Sequence, residues 1–266
     1  LEVPRAIVLG IVQGASEFLP ISSSGHLRVV QELLGWTEEF GLGFDTMVHV
    51  ATLLAVIVYF REDIVHMVQG LLSRDPERAP DRRLACLIVV ATVPSGIIGL
   101  AGGSFFESAD ILHVGIAFLC TSAALTATDA LSRKSLHSAE RLSWRRALLV
   151  GVAQGVAIMP GISRSGATMS AGLGFGLDRE QAARFSFLLS GPIILLAGAK
   201  QAFDVFSGAT HMPGLAASIA GFIAAAITGY LAIAGLMAYI RRRSFAIFAV
   251  YTALMGVSVL VWQLTG

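Results

Sequence analysis

The stretch EFLPISSSGH, Glu17 to His26, is written again 141 residues later as IMPGISRSGA, Ile158 to Ala167. Both copies break an apolar run with proline and follow it with hydroxyls and glycine. The first adds a carboxylate and a histidine, the second an arginine. Sliding the chain against itself by 141 positions extends the match without a gap: Arg5, Ala6, Gly10, Gln13, Gly14, Ile21, Ser22, Ser24 and Gly25 pair with Arg146, Ala147, Gly151, Gln154, Gly155, Ile162, Ser163, Ser165 and Gly166. Nine identities in 22 positions constitute an internal repeat. Each copy opens with a G-x-x-x-G spacing, Gly10/Gly14 and Gly151/Gly155, which lets helix backbones approach closely.

The surroundings of these turns are apolar. Of 266 residues 55% are hydrophobic and 14% charged, and the mean hydropathy is +0.74. That balance belongs to an integral membrane protein. A net charge of +1 gives no reason to expect a nucleic-acid partner. Cys86 and Cys120 fall inside apolar runs, where a thiol behaves as a small hydrophobe. The first apolar run breaks at Glu17 and Pro20 without a processing site, so no cleavable signal is expected.

Six stretches are long enough to span a hydrocarbon core, which takes about 20 apolar residues: 41–60, 84–103, 111–131, 185–203, 214–240 and 246–264. The segments 6–19 and 147–159 are too short. Each is expected to enter the membrane, turn at Pro20 or at Pro160-Gly161, and return as a short helix ending near Gly35 or Gly176. The expected fold is an all-α integral membrane protein of six transmembrane helices plus two opposed re-entrant hairpins in an inverted repeat. The first repeat, 1–131, holds hairpin 6–35 and three spans; the second, 132–266, holds hairpin 147–176 and three spans. Three spans between the hairpins invert the second copy. Inverted repeats of this kind aim helix N-termini at an anionic substrate near the midplane. Basic residues gather in 61–83, in 132–146 (Arg133, Lys134, Arg141, Arg145, Arg146) and at Arg241–Arg243. The positive-inside rule makes that side cytoplasmic. The loops with Glu107 and Asp110, and with Asp204 and His211, then face outward with both termini.

Ionisable residues at membrane depth are costly and imply a task. Glu17, His26 and Arg164 are the outstanding cases. In SSSGH the serines cap a returning helix, Gly25 allows close backbone approach, and free amides and hydroxyls at a helix start favour a phosphate. SRSGAT offers the same cradle with a guanidinium suited to gripping two phosphate oxygens. Asp45 and His49, four apart at the start of a span, are placed to touch the cavity but read first as capping or packing residues. Gln154, the mirror of Gln13, reads as a buried hydrogen-bonding group, and Asp129 and Lys200 near span ends as snorkelling side chains.

GIVQGASEFLPISSSGH and PGISRSGAT closely resemble the undecaprenyl pyrophosphate phosphatase family of bacteria, also called the bacitracin-resistance family. The resemblance continues through FDTMVHVATLLAVIVYF and FSFLLSGPIIL. It implies hydrolysis of undecaprenyl diphosphate to the monophosphate carrier used in cell-wall synthesis, in the bacterial plasma (inner) membrane, at a site open to the extracytoplasmic side. The family's first motif places Glu or Gln, then three residues, then Glu. Here those positions are Gln13 and Glu17, so Glu17 is left as the principal carboxylate.

Charge shapes the expected mechanism. Arg164 and a divalent cation held near Glu17, Mg²⁺ or Ca²⁺ by its oxygen ligands, offset the diphosphate as its P–O bond breaks. Three nucleophiles stay open: Ser23 with His26 as base, His26 itself, or water activated by Glu17. The three-residue spacing favours Ser23 with His26. Gln13, Ser22, Ser24, Gly25, Ser163, Ser165, Gly166 and Thr168 are expected to contact substrate. The partners are then the polyprenyl diphosphate and membrane lipids, with homodimerisation left open. The competing class is a transporter or flippase of an anionic substrate, because opposed hairpins are also a transport architecture. A serine beside a base separates the two.

Overall fold

The computed structural model describes residues 2–37, 39–107, 109–131, 138–208 and 212–265. Among them every regular element is helical. The helices are α1 (Glu2–Glu17), α2 (Ser23–Leu34), α3 (Leu42–Tyr59), α4 (Arg61–Leu72), α5 (Ala79–Glu107), α6 (Ile111–Leu131), α7 (Trp144–Val156), α8 (Arg164–Gly174), α9 (Arg179–Phe206), α10 (Leu215–Ile240) and α11 (Ala246–Thr265). Six segments, in α3, α5 with the turn before it, α6, α9, α10 and α11, are long and apolar enough to cross a membrane, as the sequence indicates.

Two elements differ from expectation. The basic segment 61–83 is not all loop: Ile64 and Met67, spaced for one helical face, pack on the core and hold α4 against α5. Helix α9 starts at Arg179, ahead of the apolar run, because Asp178 caps it and accepts a hydrogen bond from the Gln181 amide at 2.7 Å. Arg133, Lys134 and His211, part of the charge pattern, lie outside the described residues, as do the side chains of Glu107 and Asp129.

Helices α1 and α7 have 16 and 13 residues, so they are about 24 and 20 Å long, short of a core of about 30 Å. Each is followed by a turn and a second short helix, making two helix–turn–helix units. An arginine clamps each unit. Arg5 pairs with Glu39 and lies over Trp36, 5.4 Å from the ring centroid. Arg146, its counterpart 141 residues on, donates to the Phe175 carbonyl at 3.2 Å. One of the repeat's identities, Arg5 with Arg146, thus ties the start of each unit to the chain leaving it.

The units are seated from opposite ends of the bundle. At the start of α1, Glu2 Oε1 accepts from the Gly214 amide at 2.8 Å. At the other end Arg83 donates to the carbonyls of Glu140 (2.7 Å) and Leu142 (3.0 Å) and lies over Trp144 at the start of α7. Arg184 binds Asp63 there, and Arg241 binds Glu180, so the described basic segments meet at one end.

Close approach fixes both seats. A Cβ on Gly10 would lie 2.4 Å from the Gly221 carbonyl oxygen of α10, and one on Gly151 would lie 1.9 Å from the Ala91 carbonyl oxygen of α5. Backbone leaves no room for a methyl group at either site. Gly151→Ala is therefore expected to cost about 1–3 kcal/mol through overpacking and to lower the thermal midpoint of the detergent-solubilised protein. Gly96→Ala, whose Cβ meets nothing within 4 Å, should leave it unchanged. Equal midpoints for the two variants would contradict the α5–α7 packing.

Candidate active site

The last turn of α1 puts Gln13 and Glu17 on one face, and Gln13 Nε2 donates to Glu17 Oε2 at 2.8 Å. After Glu17 the chain turns sharply through Pro20. Ser22 leaves this turn with φ at +70°, the one non-glycine among the described residues in the left-handed region. Three hydrogen bonds hold it there. Its Oγ accepts from the Gly25 amide (3.3 Å), and its carbonyl accepts from the His26 amide (3.1 Å) and from His26 Nδ1 (2.7 Å). The result directs the next side chain back: Ser23 Oγ donates to Glu17 Oε2.

The second turn supplies the counter-charge. Ser163 caps α8, its Oγ accepting from the Gly166 amide at 3.0 Å, and the first helical residue, Arg164, donates through Nη2 to Glu17 Oε1. The hydroxyl of Thr121 on α6 braces this turn, accepting from the Ser163 amide (3.0 Å) and donating to the Gly161 carbonyl (3.2 Å). Thr168 Oγ1 donates to the Arg164 carbonyl at 2.8 Å and meets Ser186 Oγ at 2.6 Å. Ser165 Oγ donates to the Leu19 carbonyl at 3.0 Å, joining the two turns directly. A Cβ on Gly25 would lie 3.0 Å from Gly161 Cα and 2.7 Å from Phe118, so the turns meet where glycine allows.

Glu17 is 5% exposed, Ser23 8% and Gln13 not at all. Two polar atoms in this buried cluster have no hydrogen-bond partner among the described residues: Gln13 Oε1 and Arg164 Nη1. An unmatched acceptor and an unmatched cationic donor in one buried site are costly unless something occupies them. Among the described residues no group of three or more His, Cys, Asp and Glu is placed to hold a metal. The oxygen donors at hand are the Glu17 carboxylate and Gln13 Oε1.

The two repeats therefore bring Glu17, Gln13 and Ser23 together with Arg164, as their motifs suggested. The Ser23–His26 pair expected from spacing does not form. His26 gives Nδ1 to the Ser22 carbonyl, its Nε2 meets Tyr251 Oη at 2.7 Å, and the group that Ser23 Oγ meets is the Glu17 carboxylate. Helical spacing applies to side chains inside a helix, and Ser23 is its first residue, following a left-handed turn that reverses its direction. Ser22 and Ser24 stand 3.5 Å apart at Oγ, Ser163 and Ser165 3.1 Å apart, the same hydroxyl pair in each copy. Gln154 is a buried hydrogen-bonding group as expected, donating to Ser95 Oγ at 2.9 Å.

One residue of the site escaped the sequence reading, and another was read there first as a capping or packing group. His49 Nε2 lies 3.5 Å from Glu17 Oε2, while its Nδ1 donates to the Asp45 carbonyl at 2.6 Å. A histidine inside a span was its signal. Tyr251, 225 positions from His26, had none.

The chain matches the family described as bacitracin resistance protein BacA over residues 6–258. An undecaprenyl-diphosphatase of Methanosphaera stadtmanae is 42% identical over 276 residues, covering 98% of each chain. Those of Rubrobacter xylanophilus, 42% identical over 94% of each chain, and Alcanivorax borkumensis, 40% identical over 97% of this chain and 98% of its own, bear the same name. Matched along nearly its whole length by the family and by full-length relatives, the chain belongs to the bacitracin resistance protein BacA family.

Proposed function

We infer that this protein is an integral membrane phosphatase that hydrolyses undecaprenyl diphosphate to undecaprenyl phosphate and inorganic phosphate. The observation that carries the reading is a buried serine hydroxyl already donated to a carboxylate, beside a guanidinium with one arm on that carboxylate and the other arm, Nη1, unmatched. The first pair is an activated nucleophile and the free arm suits a phosphate oxygen.

In the reading we favour, Ser23 Oγ attacks the terminal phosphorus and its proton passes to Glu17. The bond between that phosphorus and the bridging oxygen breaks, and the electron pair leaves with the lipid monophosphate. Glu17 gives its proton to the departing phosphate or to solvent. As a carboxylate again, it takes a proton from water attacking the phosphoserine; the bond to Oγ breaks and Glu17 returns the proton to Ser23. Arg164 Nη1 and the amides at the starts of α2 and α8 hold the phosphoryl oxygens as charge builds on them. Gln13 keeps Glu17 turned toward Ser23. Ser22, Ser24, Gly25, Ser163, Ser165, Gly166 and Thr168 shape the two turns around the phosphates.

A divalent cation of the Mg²⁺ or Ca²⁺ type fits the donors present, with Glu17 and the unmatched Gln13 Oε1 as hard oxygen ligands and the remaining positions left to phosphate and water. When bound it would supply charge compensation for the diphosphate. A transport reading accounts less well for the site, since a carrier needs donors and positive charge but no serine held against a base.

The protein sits in the plasma membrane with the basic end of the bundle toward the cytoplasm. The two helix–turn–helix units are re-entrant hairpins of an inverted repeat, and the site opens outward on the side of α1. The 141-residue offset supports this arrangement, relating the α1–α10 contact to the α7–α5 contact and the facing pairs α3–α9 and α6–α11 to themselves.

Three measurements check this reading. Ser23→Ala and Glu17→Gln should each lower phosphate release from undecaprenyl diphosphate in detergent by about 10²–10⁴-fold or more. Rapid quenching of the wild-type reaction with the terminal phosphorus labelled should trap an acid-stable phosphoserine. An acid-labile adduct, or near-normal turnover without Ser23, would overturn the nucleophile. Arg164→Lys should stay badly impaired, because a point charge does not bind carboxylate and phosphate at once. For sidedness, cysteines at Glu77 and Ser207, in a background lacking Cys86 and Cys120, should label only from inside and only from outside respectively; labelling of both from one side refutes the topology.

A further inference from the structure

Both ring nitrogens of His26 are committed, and the partners determine which one carries the hydrogen. Nδ1 lies 2.7 Å from the Ser22 carbonyl, an oxygen that only accepts, so the hydrogen is on Nδ1 and the neutral ring presents its lone pair at Nε2. The Tyr251 hydroxyl, 2.7 Å away, donates to that lone pair. The Tyr251 ring lies nearly parallel to the imidazole at 6°, with centroids 5.6 Å apart, and the buried Phe118 meets the imidazole edge-on at 5.3 Å. Tyr251 lies on a helix that is itself held: two residues before it, the Ala249 carbonyl of α11 accepts from Ser122 Oγ of α6 at 2.7 Å.

What the Nδ1 hydrogen bond holds is the turn of the active site. A left-handed φ costs a residue with a side chain roughly 1–2 kcal/mol, and Ser22 is the one non-glycine described residue that adopts it. Its carbonyl is fastened from two sides, by the His26 amide and the His26 ring. Ser23 follows directly and reaches Glu17. With the hydrogen on Nε2 instead, an Nδ1 lone pair would face the carbonyl lone pairs at the same distance, and the turn would lose its ring-side anchor.

We propose that Tyr251 is a positioning residue for the phosphatase site: its hydroxyl holds His26 in the Nδ1–H form, and that hydrogen holds the Ser22 turn which presents Ser23 to Glu17. The proposal rests on Ser23 and Glu17 being the reacting pair. It assigns His26 a task in that reaction other than base or nucleophile.

The test uses full-length protein in detergent with ¹⁵N-labelled histidine, the His26 signals being identified by their loss in His26→Asn. In the wild type, the unprotonated ring nitrogen of His26 should be Nε2; finding it at Nδ1 overturns the proposal without any variant. Tyr251→Phe keeps the ring and removes only the hydroxyl. It should move His26 toward a mixture of the two forms and lower kcat roughly 3- to 10-fold, the scale of one hydrogen bond lost, with KM little changed. An unchanged ring spectrum in Tyr251→Phe overturns the proposal even if kcat falls, since Tyr251 would then act through packing. An unchanged kcat overturns it as well. The spectra do not depend on turnover, so an active Ser23→Ala protein would refute the assignment of the reacting pair while leaving the ring-nitrogen result to be read separately.

Discussion

A carboxylate and a guanidinium share the interior of this bundle, and the rest of the molecule is arranged so that they meet. Glu17 and Arg164 are 147 positions apart. Neither charge is tolerable alone at that depth, and a buried ion pair is a poor substitute for apolar packing. The arrangement is therefore best understood through the atoms left over. Arg164 keeps a second arm and Gln13 a carbonyl oxygen for which no described residue provides a partner. An anionic substrate with its counter-ion would satisfy both, so the cost of burying these unmatched groups would become affinity for the diphosphate.

Short helices follow from the same need. A helix that crosses the bilayer leaves its free amides in the headgroups, whereas one that stops halfway delivers them to the middle. Helices α2 and α8 start where the two turns touch, capped by Ser22 and Ser163. Side chains from elsewhere in the chain take up turn backbone: Ser165 Oγ donates to the Leu19 carbonyl between α1 and α2, and Thr121 bonds the Gly161 carbonyl and the Ser163 amide between α7 and α8. Helix α6 serves both turns: Thr121 braces the second from within, and Phe118 packs on Gly25 and His26 of the first. The G-x-x-x-G stripes seat α1 on α10 and α7 on α5 closely enough that each unit depends on the other half of the chain.

Much of this was legible in the residues, because lipid imposes few rules and imposes them strictly. Span length, the shortness of 6–19 and 147–159, the glycine stripes and the gathered basic segments each follow from apolar thickness or from the cost of charge, and each is local in sequence. The 141-residue repeat placed Arg164 opposite the SSSGH turn before any coordinates did. Helix α4 was missed because its apolar stripe is short and follows directly on charges that suit the membrane surface.

Which residues serve the site, then, was determined by the sequence, through residue types that membrane interiors otherwise exclude: Glu17, Arg164 and the two serine turns. Which atoms face one another was decided only by the tertiary structure. Spacing of three residues paired Ser23 with His26, but a left-handed Ser22 reverses the chain ahead of the helix and turns Ser23 onto Glu17 instead. His49 and Tyr251 join from α3 and α11, elements whose approach depends on how the whole bundle packs. A motif records the chemistry available at one point along the chain. The direction of a hydroxyl depends on backbone dihedrals and on contacts hundreds of residues away, and no local pattern encodes those.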